Sequence, residues 1–173
     1  MSELRTNRIV PRDGLPAGSS GGIIQVKQGS LTSKFNTSSA TMVDCGLSVT
    51  ITPTRSDSKV LVQVSLGSLA NNQALKRAFM NIVRGSTNVI TGDAATGDEV
   101  TAALCTRSAD SDHAQVPVSF MALDSPATTS AITYKVQLSR GGDSGTVYLN
   151  GSAGADAYAG NAASTIIVME VSG

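Results

Sequence analysis

Residues 58–69 read Ser-Lys-Val-Leu-Val-Gln-Val-Ser-Leu-Gly-Ser-Leu. Successive side chains of an extended chain point to opposite faces, so Val60, Val62, Val64 and Leu66 share one side and Lys59, Leu61, Gln63 and Ser65 the other. The stretch is a half-buried strand, and the period of two recurs on both sides of it. Upstream, Met42, Val43 and Leu47 to Ile51 form a second strand, with Gly46 as a bulge and Pro53 as its stop. Downstream, Ala78, Met80 and Ile82 alternate with Phe79, Asn81 and Val83, and Gly85-Ser86-Thr87-Asn88 turns the chain into Val89-Ile90-Thr91 as a hairpin.

Farther on, Gln115 to Leu123 places Val116, Val118 and Phe120 on one face, and Pro117, which has no N–H to give, marks it as an edge strand. Ala131 to Ser139 sets Tyr134, Val136 and Leu138 against Thr133, Lys135 and Gln137. Residues 141–145, Gly-Gly-Asp-Ser-Gly, turn into Thr146 to Leu149. The last run, Ser164 to Val171, is apolar on both faces, as expected of a strand covered on each side or buried by another subunit. Leu69 to Lys76 has room for one helical turn, but no stretch sustains a 3.6-residue period with caps at both ends. The expectation is an all-β, antiparallel sandwich of eight to ten strands.

The chain has 173 residues, enough for one domain. Residues 1–22 differ from the rest: Pro11, Pro16 and Gly14 punctuate them, Arg5, Arg8 and Arg12 outnumber Glu3 and Asp13, and they end in a Gly/Ser run at 18–22. They read as an extended arm with a flexible joint, attached to a β module at 23–173; at about 3.3 Å per residue the arm spans roughly 70 Å. The apolar residues Leu4, Ile9 and Val10 suit it to adding a strand to a partner.

Composition excludes several function classes. Formal net charge is zero, which gives no global attraction to nucleic acid or anionic lipid. Aromatic residues make up only 3% with no Trp, leaving few rings on which bases or sugars stack. The start carries no apolar export segment and no window is long and apolar enough to span a membrane, so neither export nor membrane insertion is expected. Cys45 and Cys105 are far apart without a CxxC pair and read as buried small hydrophobes. The single histidine, His113, sits with Asp110 and Asp112, but one imidazole and two distant thiols do not make a transition-metal site, and the calcium-loop pattern is missing. No GxSxG elbow, dinucleotide fingerprint or phosphate loop occurs. The acidic residues fall mostly in turns, where Asp is ordinary turn chemistry. Asn36-Thr37-Ser38 and Asn150-Gly151-Ser152 match the glycosylation pattern by chance. Lys76, Arg77 and Arg84 read as solvated charge framing a strand. Neither catalysis nor a cofactor nor a metal is expected.

Several stretches, in order, resemble virion structural proteins of tailed bacteriophages, in particular small tail-fibre-like proteins of cyanophages and other aquatic phages. They are Leu4-Arg5-Thr6-Asn7-Arg8-Ile9-Val10-Pro11-Arg12-Asp13-Gly14, Gly22 to Val26, Asp44 to Pro53 with Ser58 to Val62, Leu123 to Ser130 with Thr133 to Val136, and Ala163 to Glu170. The resemblance implies a jelly-roll-like sandwich that assembles as a homotrimer and docks on other virion proteins of tail, neck or capsid through the arm residues Leu4, Arg5, Arg8, Ile9, Val10 and Pro11, with the tail expected over the head. On this reading Ile167, Met169 and Val171 are the candidate oligomer interface. Loops 92–98, 107–113 and 151–161 would touch host surface glycans, with Asp93, Asp98, Arg107, Asp112, His113, Asp156 and Tyr158 as candidate contacts. The alternative is a capsid decoration protein, whose arm laces across the shell; a glycan depolymerase is a distant third.

Overall fold

The computed structural model describes residues 22–108, 114–153 and 160–173. Eleven strands form two antiparallel sheets, and no helix occurs among the described residues. In chain order they are β1 (Ile23–Leu31), β2 (Phe35–Thr37), β3 (Val43–Ile51), β4 (Lys59–Asn71), β5 (Arg77–Arg84), β6 (Thr87–Asn88), β7 (Leu104–Arg107), β8 (Val116–Asp124), β9 (Ile132–Ser139), β10 (Val147–Leu149) and β11 (Ser164–Val171).

In the first sheet β4 is the organising strand. Its residues 60–65 pair with β11 on one side and β8 on the other, and past Leu66 its free side is taken by β10, which carries β2. β1 closes the far side of β11. In the second sheet β9 lies between β3 and β5, and β6 and β7 sit end to end on the other side of β5. With the three shortest strands set aside, the orders are β1–β11–β4–β8 and β3–β9–β5–β7. This is the strand order of a jelly roll, two Greek keys wrapped into a sandwich.

The inward rows meet between the sheets. Val60, Val62, Val64 and Leu66 of β4 with Ile166 and Val168 of β11 face Leu47 and Ile51 of β3, Met80 and Ile82 of β5, and Tyr134, Val136 and Leu138 of β9, all nearly or wholly inaccessible. At about 25 cal/mol per Å² of apolar surface, this packing is the principal favourable term. Gly46 does carry a bulge: the register between β3 and β9 shifts between Asp44 and Ser48, and Gly46 has φ 89°. β8 pairs only with β4 among the described residues, which makes it the edge strand its Pro117 requires.

Other expectations need correction. Eleven strands replace eight to ten, because the three-residue β2 and four-residue β7 are too short to display a period. The helical turn over Leu69 to Lys76 does not form: β4 continues to Asn71, and the turn after it places Leu75 at φ 61°. Asn71 fixes that turn, its Nδ2 donating to the carbonyls of Arg77 and Ser144. Cys45 is buried but Cys105 is exposed on β7. Arg84 is not merely solvated charge; it donates to Asp124 at 2.6 Å, and the buried Tyr134 hydroxyl donates to the same oxygen at 2.8 Å, tying β5, β8 and β9 together.

The terminal strand also holds a polar surprise. Glu170, fully buried on the inward side of β11, accepts hydrogen bonds from Gln25 Nε2 at 2.7 Å, from the Thr54 backbone N–H at 2.7 Å and from the Thr54 hydroxyl at 2.8 Å. Gln25 also donates to the Thr52 carbonyl, so one carboxylate joins β1, β11 and the β3–β4 connection. Burial alone raises the carboxyl pKa; the donations from Gln25 and Thr54 outweigh it and hold the group below its ordinary value. A lowered folded pKa contributes stability that is present above the unfolded carboxyl range and is lost as pH falls through the folded value. Glu170→Ala is expected to cost about 3 kcal/mol in urea unfolding at neutral pH, with donors left unpaired. Glu170→Gln is expected to flatten the loss of stability on acidification; unchanged unfolding in both would contradict the latch.

Gly29 of β1 lies where that strand passes β3, and a Cβ there would overlap the Ser48 carbonyl oxygen. Gly29→Ala should therefore lower the thermal midpoint strongly, whereas Gly142→Ala, with open space around the added methyl, should not.

Candidate interaction surfaces

Two surfaces stand out, on opposite sides of the sandwich. The first is the outer face of β1–β11–β4–β8. Register places Val26, Met169, Leu61 and Leu123 side by side in one row across all four strands. The next row is Gln28, Ile167, Gln63 and Met121, and on the other side lie Ile23, Val171 and Lys59. Ile23, Val26, Met121 and Leu123 are each more than half exposed. The three interface candidates, Ile167, Met169 and Val171, thus point outward, away from the second sheet, and sit at the centre of this face half-covered by their neighbours. Sequence reading missed Val26, Leu61, Met121 and Leu123. The signal was present in Leu61, which interrupts an otherwise polar outward row, but only the register brings it beside Met169.

The second surface is a cleft of about 940 Å³ on the outer side of the second sheet. The connection from β6 to β7, residues 89–103, folds back over β5. Val89 N–H donates to the Ile82 carbonyl at 2.9 Å, and Ala103 N–H to Asn81 Oδ1 at 2.8 Å. This cover explains why Phe79, Asn81 and Val83, on the outer side of β5, are buried. The connection pins itself: Thr101 Oγ1 accepts from Ala95 N–H and donates to the Asp93 carbonyl, and Glu99 Oε2 accepts from the backbone and hydroxyl of Thr96. Those Thr96 donations lower the Glu99 pKa.

Asp93, Asp98 and Glu99 line the cleft from this connection, Arg77 and Phe79 from β5, Cys105 from β7, and Gly142 and Asp143 from the β9–β10 turn. Asp143 is bound to the cation pair at one end. Its Oδ2 accepts from the Arg77 backbone at 2.9 Å and guanidinium at 3.2 Å, and Lys76 Nζ lies 3.6 Å from Oδ1. Burial raises its pKa, but the Arg77 backbone donation and the charges of Lys76 and Arg77 prevail and lower it. The chemistry offered is four carboxylates against one guanidinium, with a hydroxyl and an aromatic edge: acceptors for hydroxyl groups or cations. No cluster able to hold a metal ion occurs among the described residues.

Of the predicted loop contacts, the structure brings Asp93 and Asp98 together in this cleft. Arg107 does not belong to a loop: it ends β7 opposite Arg77, and its Nε donates to the Leu75 carbonyl at 2.9 Å. Asp112, His113, Asp156 and Tyr158 lie outside the described residues, as do the arm residues Leu4, Arg5, Arg8, Ile9, Val10 and Pro11. Arg77 and Asp143 were not anticipated as partners, since 66 residues separate them.

The two cysteines give a direct check on this arrangement. Burial pushes the Cys45 thiol up to about 11 and also raises that of Cys105, which remains exposed at the cleft. A thiol reagent is expected to modify one equivalent slowly in the native protein and the second only on unfolding; two native equivalents would contradict the packing of β3.

No protein-family model and no curated protein matches the chain. Among solved structures, the infectious bursal disease virus VP2 subviral particle is similar at 13% identity and TM-score 0.34, over 94% of this chain and 44% of that one. A structure of the Gt strain of the same virus gives 14% identity and TM-score 0.37, over 97% and 44%. The chain therefore spans less than half the length of either. Both likenesses are loose, and the jelly-roll assignment rests on strand order and register within this chain.

Proposed function

We propose that this chain is a structural subunit of a tailed-phage virion, a tail-fibre-like module that assembles as a homotrimer. The observation that carries the reading is the jelly-roll order of β1–β11–β4–β8 and β3–β9–β5–β7, the architecture implied by the phage-like stretches of the sequence. Jelly rolls serve as virion shell and lectin domains alike, so the fold supports the role without fixing the position in the particle.

In this reading the arm, through Leu4, Arg5, Arg8, Ile9, Val10 and Pro11, docks on another virion protein. The module faces outward, and the cleft edged by Asp93 and Asp98 contacts host surface glycan, whose hydroxyls donate to its carboxylates. The role is assembly and adhesion, with no catalytic step. Gly22, counted with the arm in the sequence reading, is held to the module, its carbonyl accepting from Ser172 N–H at 2.9 Å.

Deletion of residues 1–21 is expected to leave a folded module with unchanged thermal midpoint that no longer enters particles assembled in an infected host. Immunogold labelling of intact virions with antibody to the module should mark tails. Labelling spread over the shell would favour capsid decoration, and absence of the chain from purified particles by mass spectrometry would overturn the proposal.

A further inference from the structure

The outer face of β1–β11–β4–β8 has chemistry suited to one kind of partner. Its central row, Val26–Met169–Leu61–Leu123, is wholly apolar, and Ile23, Val171, Ile167 and Met121 extend it to both sides. With Ile23, Val26, Met121 and Leu123 each more than half exposed, the rows form one contiguous apolar patch of the kind that marks an interaction site. From this face we infer that further copies of the same chain pack against it, so that it is the contact surface of the oligomer; the inference deepens the trimer of the proposed function by naming its interface.

Two observations favour a second copy over an unlike partner, and a third favours the face over the β8 edge. The first is charge. None of the paired outward positions in these rows is a carboxylate, and the single cation, Lys59, already reaches the Ser125 hydroxyl at 2.7 Å. A partner chosen by charge finds nothing to read, while a second copy brings no like-charge repulsion.

The second is the polar content. Apart from Lys59, the polar groups in the rows flanking the central one are the amides of Gln28 and Gln63, each both donor and acceptor and therefore able to pair with its own kind.

The third is the edge. Pro117 lies in β8, one of the two edge strands, and leaves that strand an N–H short, which disfavours pairing of a further strand at this edge. A standard interface covers about 800 Å² per partner, so the apolar rows would form its centre and Ser119, Ser65, Thr165 and Ser30 its polar rim.

The test is the solution mass of the full chain by light scattering, for the wild type and for Leu123→Asp and Val26→Asp on the two outermost strands. Both side chains are more than half exposed, so a folded product is expected, checked by circular dichroism. Ser86→Asp, exposed in the β5–β6 turn of the other sheet, is the control. The expected result is a wild-type trimer that Ser86→Asp preserves, and folded monomers, or at least tenfold weaker association, for the two apolar-row variants. A wild-type monomer overturns the inference. Trimers unchanged by both apolar-row substitutions also overturn it while leaving the trimer itself standing. Because the readout needs no particle, absence of the chain from virions would defeat the proposed function without touching this result.

Discussion

The register of β4 is the constraint on which the rest of the molecule depends. Val60, Val62, Val64 and Leu66 must face the second sheet, and the same phase turns Leu61 outward between Met169 and Leu123. A slip of one residue would send Lys59, Leu61, Gln63 and Ser65 into the core and expose the valines. With strands on both of its sides, β4 passes this phase to β11 and β8, and through β11 to β1. One strand thus sets both the buried core and the row that forms the outer face.

Polar groups secure the edges that hydrophobic packing leaves unspecified. Glu170 holds β1 and the β3–β4 connection against β11, while Asp124 gathers Arg84 and Tyr134 from the second sheet. Asn150 does the same at the opposite end: its Nδ2 donates to the carbonyls of Leu31 and Ser33, and its Oδ1 accepts from Ser164. Unlike apolar contact, each of these bonds is satisfied in only one relative placement of its strands. The outcome is a module with an apolar outer face on one sheet and the acidic cleft on the other.

Much of this was legible in residues that alternate. The phase of β4, the edge position of β8, the bulge at Gly46 and the bounds of β11 all follow from period two, Pro or Gly placement. The rest depends on contacts distant in sequence. β2 and β7 are strands because β10 and β5 offer them partners, not because three or four residues declare it. The outer side of β5 is buried by a connection whose cover no local pattern announces, and Cys105 is exposed because β7 lies at the margin of its sheet. Glu170 reads as a polar break in an apolar run until Gln25 and Thr54 are brought to it. In the cleft, Asp93 and Asp98 could be read as loop residues, whereas Arg77 and Asp143 become neighbours only through the fold.

The arrangement proposed is a jelly-roll subunit of a virion, joined to its copies through the outer face of β1–β11–β4–β8 and presenting the opposite sheet to the outside. A cryo-EM reconstruction of the intact particle tests it most directly, since location, copy number and symmetry are read at once. The account predicts threefold-related modules on the tail, with Met169, Leu61 and Leu123 turned toward the symmetry axis and the Asp93–Asp98 cleft turned away. Modules spread over the capsid lattice, or tail modules whose β1–β11–β4–β8 faces are open to solvent, would contradict it.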